Sequence, residues 1–330
     1  MRRILVLRGG ALGDFLVTLP ALAALRQRWP SAQIELIGNA TAAGLACSRH
    51  LIDRVHSQHE ARWSALYAAQ PLSTELRDWL AAFDLVISYW PDPDGDLARH
   101  FPVHQAQRFL QWPALPTRSP AAAHYAAVLQ PLALSVEATF CLIEPDRVTP
   151  GAGRATLPIR TSRSIAIHPG SGSPRKNWPV SRWLEVIAAI ADPIEVIVGA
   201  AEIETWNERL FAGTALEARL RDGTLKLATN LSLDEVVRVF GRCRFFLGHD
   251  SGISHLAAAC GVPCLLLFGP TDPAMWAPPA PHVRVLQRGS ACSPQLSPDL
   301  SSITVADVLA AARAHLERDG AAPAIRQVVS

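Results

Sequence analysis

Short unbroken apolar runs alternate with helical patterns along most of the chain. In the first half "RILVLR" (3–8) is followed by a helical pattern around Leu16–Arg28. "AQIELIG" (32–38) precedes a pattern beginning at Ala40, and the amphipathic "TELRDWLAAF" (74–83) leads into "FDLVISYW". The apolar runs carry little period-2 alternation, as expected of strands buried on both faces, and strand–helix alternation predicts a parallel sheet covered by helices.

The pattern breaks over "EPDRVTPGAGRATLPIRTSRS" (144–164), rich in Pro, Gly and polar residues, which reads as a linker. It then restarts. Strands are predicted at "SIAIHPG" (164–170), "IEVIVGA" (194–200), "RFFLGHD" (244–250) and "PCLLLFG" (263–269). Helices are predicted at "VSRWLEVIAAI" (180–190), "EIETWNERLFAG" (202–213), "LDEVVRVFGRC" (233–243), "ISHLAAACG" (253–261) and "VADVLAAARAHLERD" (305–319). The prediction is an α/β chain with two domains, residues 1–155 and 156–330. A chain of 330 residues is long enough to give each its own core.

Composition narrows the classes. The chain is 49% hydrophobic and 18% charged, which is globular. A net charge of +2 gives no basic field suited to nucleic acid. The cysteines at 47, 141, 243, 260, 264 and 292 form no Cys-x-x-Cys pair, so free thiols are expected rather than a zinc site or a disulfide framework. Ile4–Leu7 is too short for a signal peptide, and no apolar stretch reaches the length of a membrane span. The expected location is the cytoplasm.

Ligands of open parallel sheets lie beyond the carboxyl ends of the strands, so the residues following the strands are the candidates. The first turn, "LRGGALGD", resembles a dinucleotide cradle. That fingerprint, however, needs glycine at positions 8, 10 and 13 and an acid ending the second strand. Here Arg8 stands in the first place and "IELIGNA" ends in Gly38 and Asn39. Spacing alone leaves Asp14 as a helix-start acid or as a functional carboxylate presented by the turn.

In the second half, "HPGSGSPRKNWP" offers backbone amides and Lys176 to an anion, or is an ordinary solvated loop. "GHDSGISHLAAACGVP" puts Asp250, Ser251 and Gly252 at a helix start, with His255 in its first turn as a ligand or a packed core residue. "GPTDP" (269–273) follows the next strand. Glu202 and Glu204 fall at another strand end, where a carboxylate can accept from ribose hydroxyls or act as a helix-start acid. Leu231, just before a helix, can pack on a nucleobase or serve as a staple.

The order and spacing of "LRGGALGDFLVTLPAL", "HPGSGSPRKNWPVSRW" and "GHDSGISHLAAACGVPCLLLFGPTDP" resemble the heptosyltransferase family, glycosyltransferase family 9, over nearly the whole chain. The resemblance implies a GT-B fold, two Rossmann-like domains facing across a cleft. The first would bind the acceptor and the second the nucleotide sugar. It implies an inverting, metal-independent transfer from ADP-heptose to a lipopolysaccharide-type core glycan or glycolipid, with no cofactor and with peripheral contact at the inner membrane face. Asp14 then matches the catalytic base. Lys176, Ser251, Gly252 and His255 match the diphosphate site, and Asp250 and Gly13 the donor sugar site. Glu202 matches the ribose acid, with a slip to Glu204 left open, and Leu231 lies beside the adenine. Another nucleotide sugar, a different acceptor or a non-catalytic binder of the same fold stay open as alternatives. The departure lies at "PDPDGDLARHF" (91–101) and the region around it, where Arg99, His100 and, further on, Arg108 are either acceptor-phosphate cations or solvated charge.

Overall fold

The computed structural model describes residues 1–68, 70–136, 143–144, 164–288 and 300–318. The chain forms two compact units, Met1–Leu142 and Ile143–Ser330. The expected boundary at 155/156 and most of the expected linker lie outside the described residues. So do Cys141 and Cys292. Among the described residues Cys47 is a free thiol, and Cys243, Cys260 and Cys264 are buried.

Unit 1 is a five-stranded parallel sheet in the order β3-β2-β1-β4-β5. Its strands are β1 (Arg3–Arg8), β2 (Gln33–Gly38), β3 (Arg54–Ser57), β4 (Leu85–Ser88) and β5 (Arg108–Gln111). β1 is central because every residue from Ile4 to Leu7 is apolar and buried, which only a strand covered on both faces can satisfy. Glu35 of β2 is fully buried but compensated, with Arg3 Nη2 at 2.8 Å and His56 Nε2 at 2.7 Å. The helical pattern after β1 splits into Leu12–Leu16 and Leu19–Arg28. Pro20 lies at the start of the second helix, where a missing N–H is tolerated, and Thr18 takes the break.

Unit 2 is a six-stranded parallel sheet in the order β11-β10-β9-β6-β7-β8. The strands are β6 (Ile165–His168), β7 (Ile194–Val198), β8 (Leu225–Thr229), β9 (Phe245–His249), β10 (Cys264–Phe268) and β11 (Val283–Gln287). Helices Val180–Ala189 and Val305–Arg318 pack on this sheet through Trp183, Ile187, Val308 and Ala312. The helix expected over 202–213 does not form. The segment is a series of turns with one 3-10 turn at Glu208–Leu210. Asn207 breaks it. In extended conformation, its side chain accepts from Arg209 N–H and donates to the Glu204 carbonyl, which diverts the backbone bonding a helix needs.

In each sheet the strand order reverses once, between β1 and β4 in unit 1 and between β6 and β9 in unit 2. These switch points, at the carboxyl ends of the strands, are where open α/β sheets receive ligands. Among the described residues no helix is long and apolar enough to cross a membrane.

Candidate functional site

The unit 1 site begins where β1 ends. Gly10 has φ of +106° and is hemmed in, since a Cβ there would lie 2.6 Å from Asp14 Oδ2, so only glycine fits this turn. The turn is pinned by Gln58, which accepts from Gly10 N–H at 3.1 Å, and by Asn39 Nδ2, which donates to the Gly10 carbonyl at 3.2 Å. Asp14 sits in the first turn of the helix Leu12–Leu16, and its Oδ2 accepts from Ala11 N–H at 2.9 Å. The cap reading and the presentation reading therefore describe one side chain. Oδ2 closes the helix start while the group stays 39% exposed. Gly13, half-buried in the same turn, accepts from Val17 N–H at 3.1 Å.

Arg8 gains a role that the glycine fingerprint conceals. It is 95% buried, with its guanidinium 4.3 Å over the Tyr125 ring. Its Nε donates to the Asp14 carbonyl at 2.9 Å, and Nη2 lies 3.6 Å from Asp14 Oδ1. The arginine thus holds both the backbone and the carboxylate of Asp14, and a glycine at position 8 could do neither. Burial pushes the Tyr89 and Tyr125 hydroxyls up, with Arg8 opposing, so both phenols stay neutral. Arg99 is taken up by its own loop, pairing with Asp96 and donating to the Asp94 carbonyl at 2.8 Å.

In unit 2 the predicted residues follow neighbouring strands. Lys176, in a short 3-10 turn after β6, donates to Asp250 Oδ2 after β9 at 2.7 Å, so the pair straddles the switch point. Ser251 caps the helix Gly252–Ala259 by accepting from Ser254 N–H at 3.3 Å. Gly252 and Ile253 N–H then have no acceptor among the described residues and form a positive helix terminus beside Lys176 and Asp250. His255 is buried in that first turn.

Glu202 follows β7 and is half-buried, whereas Glu204 is exposed. Glu202 Oε2 accepts from Gly199 N–H at 3.1 Å, and a Cβ on Gly170 would lie 2.1 Å from Oε1. Gly170 therefore clears the space that brings Glu202 onto the loop after β6. Leu231, half-buried after β8, precedes Ser232, the cap of the helix Leu233–Arg242.

Two buried histidines, His168 and His249, end β6 and β9. His249 Nε2 accepts from Trp178 N–H at 2.8 Å, which a protonated ring could not do. Burial pushes His249 down to about 3 and pushes His168 down as well. Both are neutral when folded and take up a proton near the usual histidine value of about 6.5 when unfolded, so unfolding binds protons below that pH. Stability is therefore full above pH 6.5 and falls as pH drops. His249 alone removes about 2 kcal/mol between pH 6.5 and 5. Urea unfolding at pH 7 and pH 5 measures this, and equal stabilities would refute the neutral, buried assignment.

Thr271, after β10, is a candidate that sequence spacing does not single out. Its Oγ1 donates to Asp250 Oδ2 at 2.8 Å. Across the sheet, Thr271, Asp250, Lys176, Glu202 and Leu231 follow β10, β9, β6, β7 and β8, five consecutive strands. Four inter-strand steps span about 19 Å, enough for an extended nucleotide sugar.

The chain is similar to known glycosyltransferases in sequence and in fold. Residues 146–301 match the family described as Glycosyltransferase family 9 (heptosyltransferase). Lipopolysaccharide heptosyltransferase 1 of Escherichia coli (strain K12) is 25% identical over 299 residues, covering 83% of this chain and 89% of the relative. Lipooligosaccharide heptosyltransferase 2 of Haemophilus influenzae is 30% identical over 118 residues, 35% of this chain and 33% of that protein. Among solved structures, a glycosyl transferase family 9 protein from Veillonella parvula superposes with a TM-score of 0.71 at 20% identity, covering 96% of this chain and 98% of that one. The E. coli heptosyltransferase WaaC with ADP gives 0.68 at 22%, covering 95% and 99%. These structures share the two-unit parallel-sheet architecture, the GT-B fold.

Proposed function

We propose that the chain is a glycosyltransferase of family 9, the heptosyltransferases, and that its reaction is inverting and metal-independent. A sugar passes from ADP-heptose to a lipopolysaccharide-type core glycan. The observation that carries the reading is the Lys176–Asp250 pair at the unit 2 switch point, beside the open amides of Gly252 and Ile253. Similarity to lipopolysaccharide heptosyltransferases supports heptose and the lipopolysaccharide core, and similarity to WaaC, solved with ADP, supports the nucleotide.

The donor runs along the strand ends in the order of its parts. Asp250 and Gly13 meet the sugar. Lys176, Ser251, Gly252 and His255 hold the diphosphate. Glu202 accepts from the ribose hydroxyls, and Leu231 packs on the adenine. The acceptor hydroxyl attacks the anomeric carbon from the face opposite the phosphate, so the C–O bond to the diphosphate breaks with inversion. Asp14 takes the hydroxyl proton, and ADP leaves with the bonding pair. Lys176 and the helix amides meet the charge that builds on the leaving diphosphate, which preorganised donors stabilise strongly. Fixed cationic and amide donors can do this without a metal. Residues 1–155 serve as the acceptor domain and 156–330 as the donor domain, with the glycolipid acceptor bringing the enzyme to the inner membrane face.

Calorimetric titration with ADP-, UDP- and GDP-heptose tests the donor. Binding of the ADP sugar at least tenfold tighter than the other two is expected. Equal binding of all three, or preference for a uridine or guanosine sugar, would overturn the assignment.

A further inference from the structure

Asp250 is held by two donors that converge on one oxygen. Lys176 Nζ at 2.7 Å and Thr271 Oγ1 at 2.8 Å both donate to Oδ2. Oδ1 accepts from no group among the described residues, although the side chain is only 9% exposed. The loop presenting Thr271 is braced from the sheet. Gln287, the last residue of β11, donates through Nε2 to the carbonyls of Gly269 at 3.1 Å and of Thr271 itself at 3.3 Å. Asp272 then caps the next helical turn by accepting from Ala274 N–H at 2.9 Å. The main chain is therefore fixed on both sides of the hydroxyl that points at Asp250.

The two donors differ in what a ligand does to them. A nucleoside diphosphate competes for the Lys176 ammonium, a mobile point charge on a flexible stem. The single proton of the Thr271 hydroxyl is already given to the carboxylate, so a diphosphate oxygen could take it only by displacing Asp250. Once Lys176 turns to the diphosphate, the Thr271 hydroxyl still keeps the Asp250 carboxylate in place. We infer that Thr271 is a positioning residue. Braced by Gln287, it holds Asp250 so that Oδ1 accepts from a hydroxyl of the donor's sugar while Lys176 transfers to the diphosphate. This rests on the donor reading above and adds a residue to it. The specificity it confers is for the sugar, not for the nucleotide.

Calorimetry with ADP and with ADP-heptose on the full chain separates these roles. Thr271→Val keeps the shape and removes the hydroxyl. It is expected to weaken ADP-heptose binding about tenfold, the size of one hydrogen bond to a charged group, and to change ADP binding less than twofold. Thr271→Ser should restore wild-type values. In an Asp250→Asn background, where the charged acceptor is gone, the Val substitution should add less than a twofold effect. Equal losses for ADP and ADP-heptose, an unchanged ADP-heptose affinity, or a full effect in the Asp250→Asn background would each overturn the inference alone. Wild-type protein that binds ADP but gains nothing from the heptosyl group would overturn the donor reading, and this inference with it.

Discussion

Asp14→Asn is expected to slow glycosyl transfer about 10³-fold, within the range a positioned general base supplies, while ADP-heptose affinity stays within twofold of wild type. The substitution separates the two jobs of this side chain. Asparagine keeps an oxygen that can accept from Ala11 N–H, so the helix start at Leu12 is preserved. It cannot accept the acceptor's proton. Arg8 loses its counter-charge 3.6 Å away but keeps its stacking on Tyr125 and its bond to the residue 14 carbonyl, so the turn stays assembled. A thermal melt alongside the rate measurement confirms that folding is intact. Near-normal turnover in a folded Asp14→Asn protein would sink the assignment of the base.

Lys176→Ala is expected to act on the donor instead, weakening ADP affinity about 100-fold. Two losses combine. The charge-assisted contacts to the diphosphate disappear, each worth about 1.5–3 kcal/mol. The Asp250 carboxylate is also left without its ammonium partner beside an incoming polyanion. Lys176→Arg should recover only part of the loss, because a planar fork on a longer stem does not reproduce a point charge at that position. Calorimetry with ADP reads the effect, and unchanged affinity would remove Lys176 from the phosphate site.

The central strands are legible in the sequence because burial on both faces demands apolar residues at every position, as in Ile4–Leu7 and Cys264–Phe268. The edge strands are not. "RVHS", "RFLQ", "LKLAT" and "VRVLQ" form β3, β5, β8 and β11, and each mixes charged or polar residues into a short run. An edge strand has a sheet neighbour on one side only, and these are partly exposed, so the apolar signal fades. The helix expected over 202–213 is undone by local bonding of Asn207, which hydrophobic periodicity does not register.

The candidate site is legible where a residue type and a strand end coincide, as at Asp14, Lys176 and Asp250. Arg8 is hidden because, against the glycine fingerprint, it counts only as a missing glycine. Its value lies in burial against Tyr125 and contact with Asp14, which depend on a helix more than 100 residues downstream in sequence. Thr271 is hidden for the same reason. A threonine in a Gly-Pro-Thr-Asp turn reads as turn chemistry until the sheet order sets β10 beside β9 and brings its hydroxyl to Asp250. The choice between Glu202 and Glu204 also turns on burial rather than spacing, since Gly170 makes room for the first and the second is exposed.

Glycosyl transfer itself is the decisive measurement. Wild-type protein is incubated with ADP-heptose and a lipopolysaccharide core acceptor lacking heptose, in buffer containing EDTA, and the products are weighed by mass spectrometry with Asp14→Asn as the control. The acceptor is expected to gain one heptose residue, with ADP appearing in equal amount and the control staying at background. An acceptor left unchanged by the wild type, or modified at the same rate by Asp14→Asn, would contradict a metal-independent heptosyl transfer with Asp14 as its base.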